Sequence, residues 1–422
     1  MVWQSLFLAS LLVLTACTQH LQVKQAAQPL SQPKLIEQAT DHIDQLLTFH
    51  TVHPSEWQQN QNSVGYLSEL DNQGMPVSDK VYTVALSRLI YGLAYRSAEN
   101  PANLTKAKAA AAFQLQHMLG EDRHGQYFLS WVSPTAKDSG TRLDIWQQAY
   151  GLCGLVELYR QTGDQQLLQT IHRLHSALVS RFQDQQYGGF WGAYELTDGP
   201  EVGSKSLQSL MYPVTAYLAN LWLADETNRD NYQAILQQHI ELLSEIGWNQ
   251  QQQWVNVKFD DQWQPCESSE QAVCSSVSPG HNFQLAALLM RAAEWPFMTV
   301  AQQQQLQQQG ERMVDATLAK PIYGPTGIAG GFAQSFDPLS NEANDSRKAW
   351  WQHCEAIIAL SLVPTQQGNR DKLLRFFLAH FQDQQFGGEY FFVDADNQPE
   401  TTENKGNVGK SAYHSVEMLR FL

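Results

Sequence analysis

The sequence has few cysteines, few basic residues and few long apolar runs, and each shortage argues against a class of protein. It contains five cysteines, and no Cys/His spacing is typical of a zinc site. Its 27 lysines and arginines are outnumbered by 42 aspartates and glutamates, for a formal net charge of −15. That balance argues against nucleic acid or an anionic lipid surface as a partner. No glycine-rich phosphate-binding loop is visible, so we expect neither a metal nor a nucleotide cofactor.

An apolar run from Leu6 to Leu14 lies near the N-terminus and is too short to span a bilayer. It suits the hydrophobic region of a secretory signal, although no Lys or Arg precedes it. The run leads into Leu14-Thr15-Ala16-Cys17, which resembles a bacterial lipobox. The resemblance implies that residues 1–16 are a signal peptide and that Cys17 carries lipid at the mature N-terminus. A plain signal peptide and a buried helix are the alternatives.

The residues after the lipobox are typical of a flexible tether. Residues 17–34 begin with the cysteine to be lipidated, are rich in glutamine and contain Pro29 and Pro33. Thr18 stands where Asp would favour the inner membrane, by resemblance to enterobacterial sorting. We therefore expect a lipid anchor on the periplasmic face of the outer, or alternatively the inner, membrane of a Gram-negative bacterium. Residues 35–422 contain no second membrane-length apolar run and no further linker, which predicts one large domain.

The hydrophobic periodicity of this domain is mostly helical. About twelve candidate helices fall in pairs, and short segments with turn residues and aromatics separate the pairs. Internal repetition of this kind is the signature of a repeat fold. The sequence therefore predicts an all-α (α/α)6 toroid, with inner helices around a central pocket and short β-like turns between pairs. The candidate helices lie near residues 35–50, 78–98, 101–119, 142–162, 165–182, 204–226, 230–246, 280–295, 299–318, 346–362, 369–382 and 410–422.

Two of the separating segments, residues 182–190 and 381–389, are nearly identical. Asp184 and Asp383 at the same place in each could be interpreted as glycosidase carboxylates. Asp shortly before Gly-Gly is also turn chemistry, and its repetition in several units indicates a folding role rather than a single active site. We therefore favour the folding role for both aspartates.

The cysteines of the domain fall into two groups. Cys266 and Cys274 flank a polar loop, and an oxidising periplasm would allow them to pair, although the sequence does not decide whether they do. Cys153 and Cys354 lie in apolar helical patterns and are expected to be buried thiols.

The stretch Ser278-Pro279-Gly280-His281 precedes an apolar run long enough for a helix. His281 would then lie in the first helical turn, near the positive end of the helix dipole, which disfavours its charged form. A neutral imidazole accepts a proton at neutral pH, so His281 is a candidate general base. Taken alone, it could equally be an ordinary capping or packing histidine.

Five motifs in order resemble the N-acylglucosamine 2-epimerase superfamily, which includes cellobiose 2-epimerases and mannose-type aldose–ketose isomerases. The resemblance covers most of the chain after the tether and implies the (α/α)6 fold and a mono- or oligosaccharide substrate. The motifs are residues 70–74 with 85–88, residues 146–151, Pro279-Gly280-His281, residues 348–356 and residues 410–414.

The resemblance implies that His281 and His414 are an acid–base pair acting on an open-chain sugar through an enediol. A 2-epimerase returns the proton to the opposite face of C2, whereas an isomerase returns it to C1, and neither needs a metal or nicotinamide. Arg88 is implied to contact the sugar, where it can stabilise developing negative charge. The residues predicted to bind substrate are Trp350, Trp351, Glu355, Gln284, Tyr212, Trp146 and Lys410. For the adjacent Trp350 and Trp351, core packing is an alternative role.

Several positions depart from the family pattern. Gln284 stands where Glu is usual, which removes a charge that would orient a histidine and raise its basicity. Tyr212 and Thr215 stand where a His and a Glu are usual, and that His is implicated in ring opening. Gly409 replaces a Trp, and Glu417 replaces an Arg. The leading prediction is a sugar 2-epimerase or isomerase. The alternatives are a catalytically degenerate glycan-binding lipoprotein on the same scaffold and an (α/α)6 glycoside hydrolase or lyase.

Overall fold

The computed structural model describes residues 33–55, 62–266, 274 and 276–422. The predicted signal peptide, Cys17 and most of the predicted tether lie outside the described residues. In the part of the chain that is described, no helix has both the length and the apolar character needed to cross a membrane.

The described chain is mostly helical, and every stretch predicted to be a helix contains one. Between α6 and α7 the helix continues as a π-helical turn, Val214–Leu218. The helices are α1 Pro33–Phe49, α2 Thr83–Tyr95, α3 Pro101–His117, α4 Ile145–Thr162, α5 Gln165–Phe182, α6 Leu207–Pro213, α7 Ala219–Ala224, α8 Arg229–Ile246, α9 Pro279–Ala293, α10 Val300–Leu318, α11 Trp350–Leu362, α12 Gln367–His380 and α13 Tyr413–Arg420.

Short antiparallel strands connect the helices, and three of them shorten a predicted helix at its start. β1, β5 and β12 end immediately before α2, α4 and α11, because their residues pair with neighbouring strands. The pairings are β1–β4, β2–β3, β5–β6–β7, β8–β9, β10–β11 and β12–β13–β14. The strands are β1 Val81–Tyr82, β2 Leu119–Asp122, β3 Gly125–Phe128, β4 Trp131–Val132, β5 Arg142–Asp144, β6 Ala193–Glu195, β7 Gly199–Pro200, β8 Trp248–Asn249, β9 Trp254–Val255, β10 Ser335–Phe336, β11 Ala343–Asp345, β12 Lys348–Ala349, β13 Phe392–Val393 and β14 Pro399–Glu400.

The helices pack in sequential pairs: α2 with α3, α4 with α5, α7 with α8, α9 with α10, and α11 with α12. The last helix, α13, packs on the first, α1. One member of each of several pairs, such as α2, α4, α9 and α11, is buried on nearly every side. A helix that is apolar all round belongs in the interior of a large domain. These buried helices also contact one another, α2 with α4, α9 with α11, and α11 with α13, while α13 contacts α2.

α2 and α4 approach each other closely at a glycine. A Cβ atom added to Gly154 would lie 2.3 Å from the backbone oxygen of Ser87, a distance that no side chain tolerates. The Ser87 hydroxyl donates to the carbonyl of Gly151 at 3.1 Å and accepts from the Gly154 N–H at 2.9 Å. This contact fixes the backbone that carries Arg88 against α4.

The two repeated segments have the predicted folding role. The Asp184 carboxylate accepts from two backbone N–H groups of its own turn and from Nζ of the buried Lys205 at 2.6 Å. Asp383 does the same in its own turn, with the buried Lys405 as its cation. Each carboxylate therefore joins a Gly-Gly turn to a lysine about twenty residues further along the chain.

The cysteines also follow the predicted grouping. Cys266 and Cys274 form a disulfide, with Cα atoms 6.4 Å apart. Cys153 and Cys354 are buried free thiols.

Candidate active site

His281 is held at the start of α9 by the residue that caps the helix. Ser278 is the N-cap, and its Oγ accepts a hydrogen bond from the backbone N–H of His281 at 3.3 Å. The same Oγ lies 3.0 Å from Nδ1 of the His281 ring. One hydroxyl therefore contacts both the backbone and the side chain of this histidine.

Burial disfavours the charged form of His281, the same direction that its position at a helix start predicts. The surrounding protein lowers the pKa of His281 to about 4, and the nearby His414 contributes in the same direction. An imidazole with so low a pKa accepts protons only weakly.

His414 lies in the first turn of α13 and is buried. Its Nδ1 is 2.8 Å from Oε1 of Glu355 on α11. Burial lowers the pKa of His414, whereas the hydrogen bond to Glu355 raises it and the charge of Arg88 lowers it further. Of the two predicted acid–base histidines, His414 is the one whose Nδ1 contacts a carboxylate.

Gln284 hydrogen-bonds to the carboxylate that contacts His414. The Gln284 amide donates from Nε2 to Oε1 of Glu355 at 3.0 Å, the same oxygen that contacts His414. Because α9 and α11 pack against each other, the side chain crosses between them to the buried carboxylate. Gln284 therefore influences His414 through Glu355.

The ring of Trp351 lies beside both histidines. Its centroid is 5.1 Å from that of His281 and 5.9 Å from that of His414. Trp351 is partly exposed and lines a cavity. Its neighbour Trp350 is buried, with its ring 4.6 Å from Phe391 and 6.0 Å from His414. The two tryptophans therefore differ in their surroundings: Trp350 packs in the core, and Trp351 faces the cavity.

Lys410 lies behind Trp350 and is not among the residues that line this cavity. Its ammonium donates to the backbone oxygen of Glu389 at 2.5 Å and sits 4.8 Å from the Trp350 ring centre. Burial lowers the pKa of Lys410 to about 8. The structure therefore places Lys410 in the core and not on the cavity wall.

Arg88 is buried among aromatic rings near His414. Its guanidinium carbon is 3.9 Å from the ring centre of Tyr150 and 5.3 Å from that of Tyr413. Nη1 donates to the backbone oxygen of Gly409 at 2.5 Å. The charge of Arg88 is therefore fixed in place close to His414.

Gly409 stands where the family has a tryptophan, and the ring of Trp146 from another helix lies beside it. A Cβ atom added to Gly409 would lie 2.9 Å from the ring of Trp146. Trp146 lines the cavity and has the Arg88 guanidinium 5.7 Å from its ring centre. Trp146 on α4 thus covers Arg88 where the residue before Lys410 has no side chain.

The other departures from the family pattern are absorbed by buried contacts. Tyr212 packs with its ring 5.6 Å from that of Tyr150, and burial raises its pKa above the ordinary value. Thr215 accepts at its backbone oxygen from the Tyr413 hydroxyl at 3.1 Å. Glu417 accepts from the Tyr91 hydroxyl and pairs with two arginines, Arg420 at 3.3 Å and Arg291 at 3.6 Å.

The cavity beside His281 has a volume of about 790 Å³, within the usual range for small-molecule sites. Its lining includes Trp146, Ser278, His281, Trp351 and Gln352 but not His414, Glu355 or Arg88. Sequence reasoning missed several polar lining residues, because none of them lies in a family motif. They are Arg142, Asp144, Glu201, Gln208, Lys258 and Gln334. Gln208 is on α6, and the others are on short strands and turns.

Ser278 is the missed residue for which a signal existed, since Ser before Pro is a standard helix start. The carboxylates of the cavity are already engaged. Arg142 donates to Glu201 at 2.6 Å and lowers the pKa of that carboxyl. Asp144 caps α4 by accepting from the Trp146 N–H at 2.8 Å, and burial raises its pKa. Among the described residues, no three His, Cys, Asp or Glu side chains are grouped as metal ligands.

Comparisons with known proteins show which family the sequence matches. The sequence model of the N-acylglucosamine 2-epimerase (GlcNAc 2-epimerase) family matches residues 65–418. Cellobiose 2-epimerase of Bacteroides fragilis is 22% identical over 380 residues, which cover 85% of this chain and 91% of that protein.

Solved structures share the fold. A cellobiose 2-epimerase from Spirochaeta thermophila matches with a TM-score of 0.73 and 17% identity, covering 92% of this chain and 94% of that one. A D-mannose isomerase matches with a TM-score of 0.76 and 16% identity, covering 93% of this chain and 100% of that one.

Proposed function

The chain belongs to the N-acylglucosamine 2-epimerase family, and we propose that it is a sugar 2-epimerase or aldose–ketose isomerase acting at His281 and His414 through an enediol. The observation that carries the proposal is the contact of both histidines with one ring, that of Trp351. The histidines are 133 positions apart (414 − 281) and lie on different helices. Two imidazoles beside one ring of the cavity wall are the acid–base groups that proton transfer at a sugar carbon needs.

We also propose that the helices form the predicted closed (α/α)6 toroid. The support is the pairing of successive helices, together with the packing of α13 on both α1 and α2. In such a ring, the buried helices α2, α4, α9, α11 and α13 surround the site. The proposal accounts for the meeting of Arg88 on α2 with Tyr413 on α13.

The proposed chemistry begins with His414 as the base. Its Nδ1 is engaged by Glu355, so Nε2 is the ring atom free to take the proton from C2. The enediolate that forms is negatively charged, and the fixed guanidinium of Arg88 supplies a positive field near it. Trp146 and Trp351 offer ring faces at the cavity, against which the apolar face of a sugar can pack.

The alternatives have less support. A hydrolase needs a free carboxyl pair with one acid protonated. Glu355 is bonded to His414, and Arg142 lowers the pKa of Glu201. Asp144 has a raised pKa, but its carboxylate accepts from the Trp146 N–H as the cap of α4. A degenerate binding protein has no need of a buried carboxylate on a histidine ring. The retained His414–Glu355 pair therefore favours catalysis.

The test is incubation of the full chain with separate aldoses and disaccharides in heavy water, followed by NMR. Glucose, mannose, cellobiose and N-acetylglucosamine are suitable probes. Deuterium at C2 or C1 is the expected result, because the proton on the histidine exchanges with solvent. Binding of oligosaccharides without exchange in any sugar would establish the degenerate binding protein instead.

We further propose that Cys17 is lipidated and that the domain is held at a periplasmic membrane surface. The support is the lipobox-like residues 14–17 and the glutamine-rich tether that follows. The formal net charge of −15 makes adhesion to anionic lipid by charge unfavourable, so a covalent anchor is the consistent means of attachment.

A further inference from the structure

The two histidines differ in what holds their Nδ1 atoms. For His414 the neighbour is a carboxylate oxygen of Glu355 at 2.8 Å. For His281 it is the hydroxyl of Ser278 at 3.0 Å. An ionised carboxylate only accepts hydrogen bonds, whereas a hydroxyl both donates and accepts. The proton can therefore sit on different atoms of the two rings.

Glu355 determines the tautomer of His414. Its Oε1 receives hydrogen bonds from both the His414 ring and the Gln284 amide. Nδ1 of His414 must then carry a proton, and Nε2 keeps its lone pair. His414 is therefore arranged to accept a proton at Nε2.

Ser278 favours the opposite tautomer for His281. Its oxygen already accepts from the His281 backbone N–H as the helix N-cap. Its hydroxyl proton is then available for donation to Nδ1 of His281, which lies 3.0 Å away. A ring nitrogen that accepts carries no proton, so neutral His281 has its proton on Nε2.

We infer that Ser278 is a positioning residue that holds His281 as the neutral Nε2–H tautomer, so that His414 alone carries the carbon-bound proton and the reaction is aldose–ketose isomerisation. This inference rests on the proposed function and narrows it to one of the two reactions. It assigns His281 the work of a hydrogen-bond donor to the sugar oxygens.

The bonding changes balance without a further reactant. His414 Nε2 takes the proton from C2, the C–H electron pair forms the C1–C2 double bond, and the carbonyl pair moves to O1. The Nε2–H of His281 donates to the charged oxygen, while the O2 hydroxyl proton passes to O1. The Nε2–H of His414 then gives its proton to C1, and the O2 pair forms the new carbonyl at C2. An aldose has become a ketose, and His414 is again neutral.

Epimerisation would require His281 to act as a proton donor to carbon. It would have to deliver a proton to the other face of C2 from Nε2. With Nδ1 unprotonated, that delivery would leave an imidazolate, which is far too basic to form at neutral pH. The low pKa of His281 likewise leaves little imidazolium to serve as the donor. His281 is therefore not a donor that could protonate the other face of C2.

The products test the inference. Mannose, glucose and cellobiose are each incubated with the full chain in heavy water and followed by ¹H and ²H NMR. We expect the corresponding ketose with deuterium at C1, and the 2-epimer as less than about a tenth of the product. A 2-epimer with deuterium at C2 as the main product overturns the inference but leaves the proposed function standing. No exchange in any sugar overturns the proposed function itself.

The tautomers are tested directly by ¹⁵N NMR of the histidine rings. We expect Nδ1 of His281 to be unprotonated and Nε2 protonated, with the reverse in His414. Ser278→Ala should abolish the preference in His281, lower turnover about tenfold and raise the share of 2-epimer. Ser278→Thr keeps a hydroxyl and should restore the tautomer preference of His281, the turnover and the product ratio.

Thr299 supplies the matched control, since it caps α10 through its side chain and has no histidine partner. Thr299→Ala loses a helix cap in the same way but should leave the product ratio unchanged. A protonated Nδ1 in wild-type His281, or a product ratio that Ser278→Ala does not change, contradicts the inference.

Discussion

Gln284 and Glu355 form a hydrogen bond of 3.0 Å between α9 and α11, on the same carboxylate oxygen that contacts His414. A residue in the helix that carries His281 therefore acts on the other histidine. Glu355 lies between the two helices and links them. The pH dependence of any activity should accordingly follow Glu355 and the charges near it.

Glu355→Gln should weaken His414 as a base. The carboxylate raises the pKa of His414, so its loss should lower that pKa. Since His414 is active when neutral, the acidic limb of kcat/KM should move to lower pH. The rate at neutral pH should fall by about 10²-fold, because the base is weaker and less well oriented. Glu201→Gln, at the cavity but bonded to Arg142, is the control and should leave the limb in place.

Arg88→Met should have the opposite effect on the limb. Arg88 lowers the pKa of His414 through its charge, so a neutral side chain of similar length should raise that pKa. The acidic limb of kcat/KM should then move to higher pH. The rate should also fall by roughly 10²-fold, because charge stabilisation of the enediolate is lost. A limb that moves to lower pH would show that Arg88 does not act on His414.

His281→Ala and His414→Ala should each reduce deuterium exchange by about 10²–10⁴-fold with the fold intact. The double variant should cost far less than the product of the two losses, because residues acting as a unit are not additive. His353→Phe is the control, since His353 is buried with its ring stacked on Phe332 at 4.3 Å. Exchange is measured by NMR and the fold by circular dichroism. Loss of exchange in His353→Phe with a normal spectrum would contradict the assignment.

Cys17→Ser should release the protein from membrane fractions into the soluble periplasmic fraction. The lipid would attach to the Cys17 sulfur, and serine lacks that atom. The measurement is fractionation with immunodetection, together with mass spectrometry of the mature N-terminus. A wild-type N-terminus other than a lipidated Cys17 would refute the anchor, and Cys354→Ser, at a buried thiol, controls for loss of a cysteine as such.

Much of the fold was readable from the sequence, because helical periodicity and turn residues are local signals. The position of His281 in the first turn of α9 followed from Pro279 and Gly280 in the same way. Contacts between distant residues left no such local signal. The bond from Gln284 to Glu355 depends on how α9 and α11 pack, and the burial of Lys410 against Glu389 depends on a strand-connecting segment 21 residues away.

The same limit applies to the adjacent tryptophans. Trp350 and Trp351 begin one helix, and neighbouring residues on a helix point about 100° apart. Periodicity predicts that they face different surroundings but not which one reaches the cavity. Family resemblance identified the pair, and the packing of Trp350 on Phe391 separates their roles.

The position of Trp351 has a consequence for how this protein can evolve. Its ring faces the cavity where a sugar would pack, and it also contacts both histidines. A substitution that adapts the cavity to a new sugar therefore also disturbs the two imidazoles. Selection for substrate preference and selection for turnover act on one side chain. New specificity at this position should arise only with compensating changes around Ser278 or Glu355, which makes the order in which mutations accumulate matter.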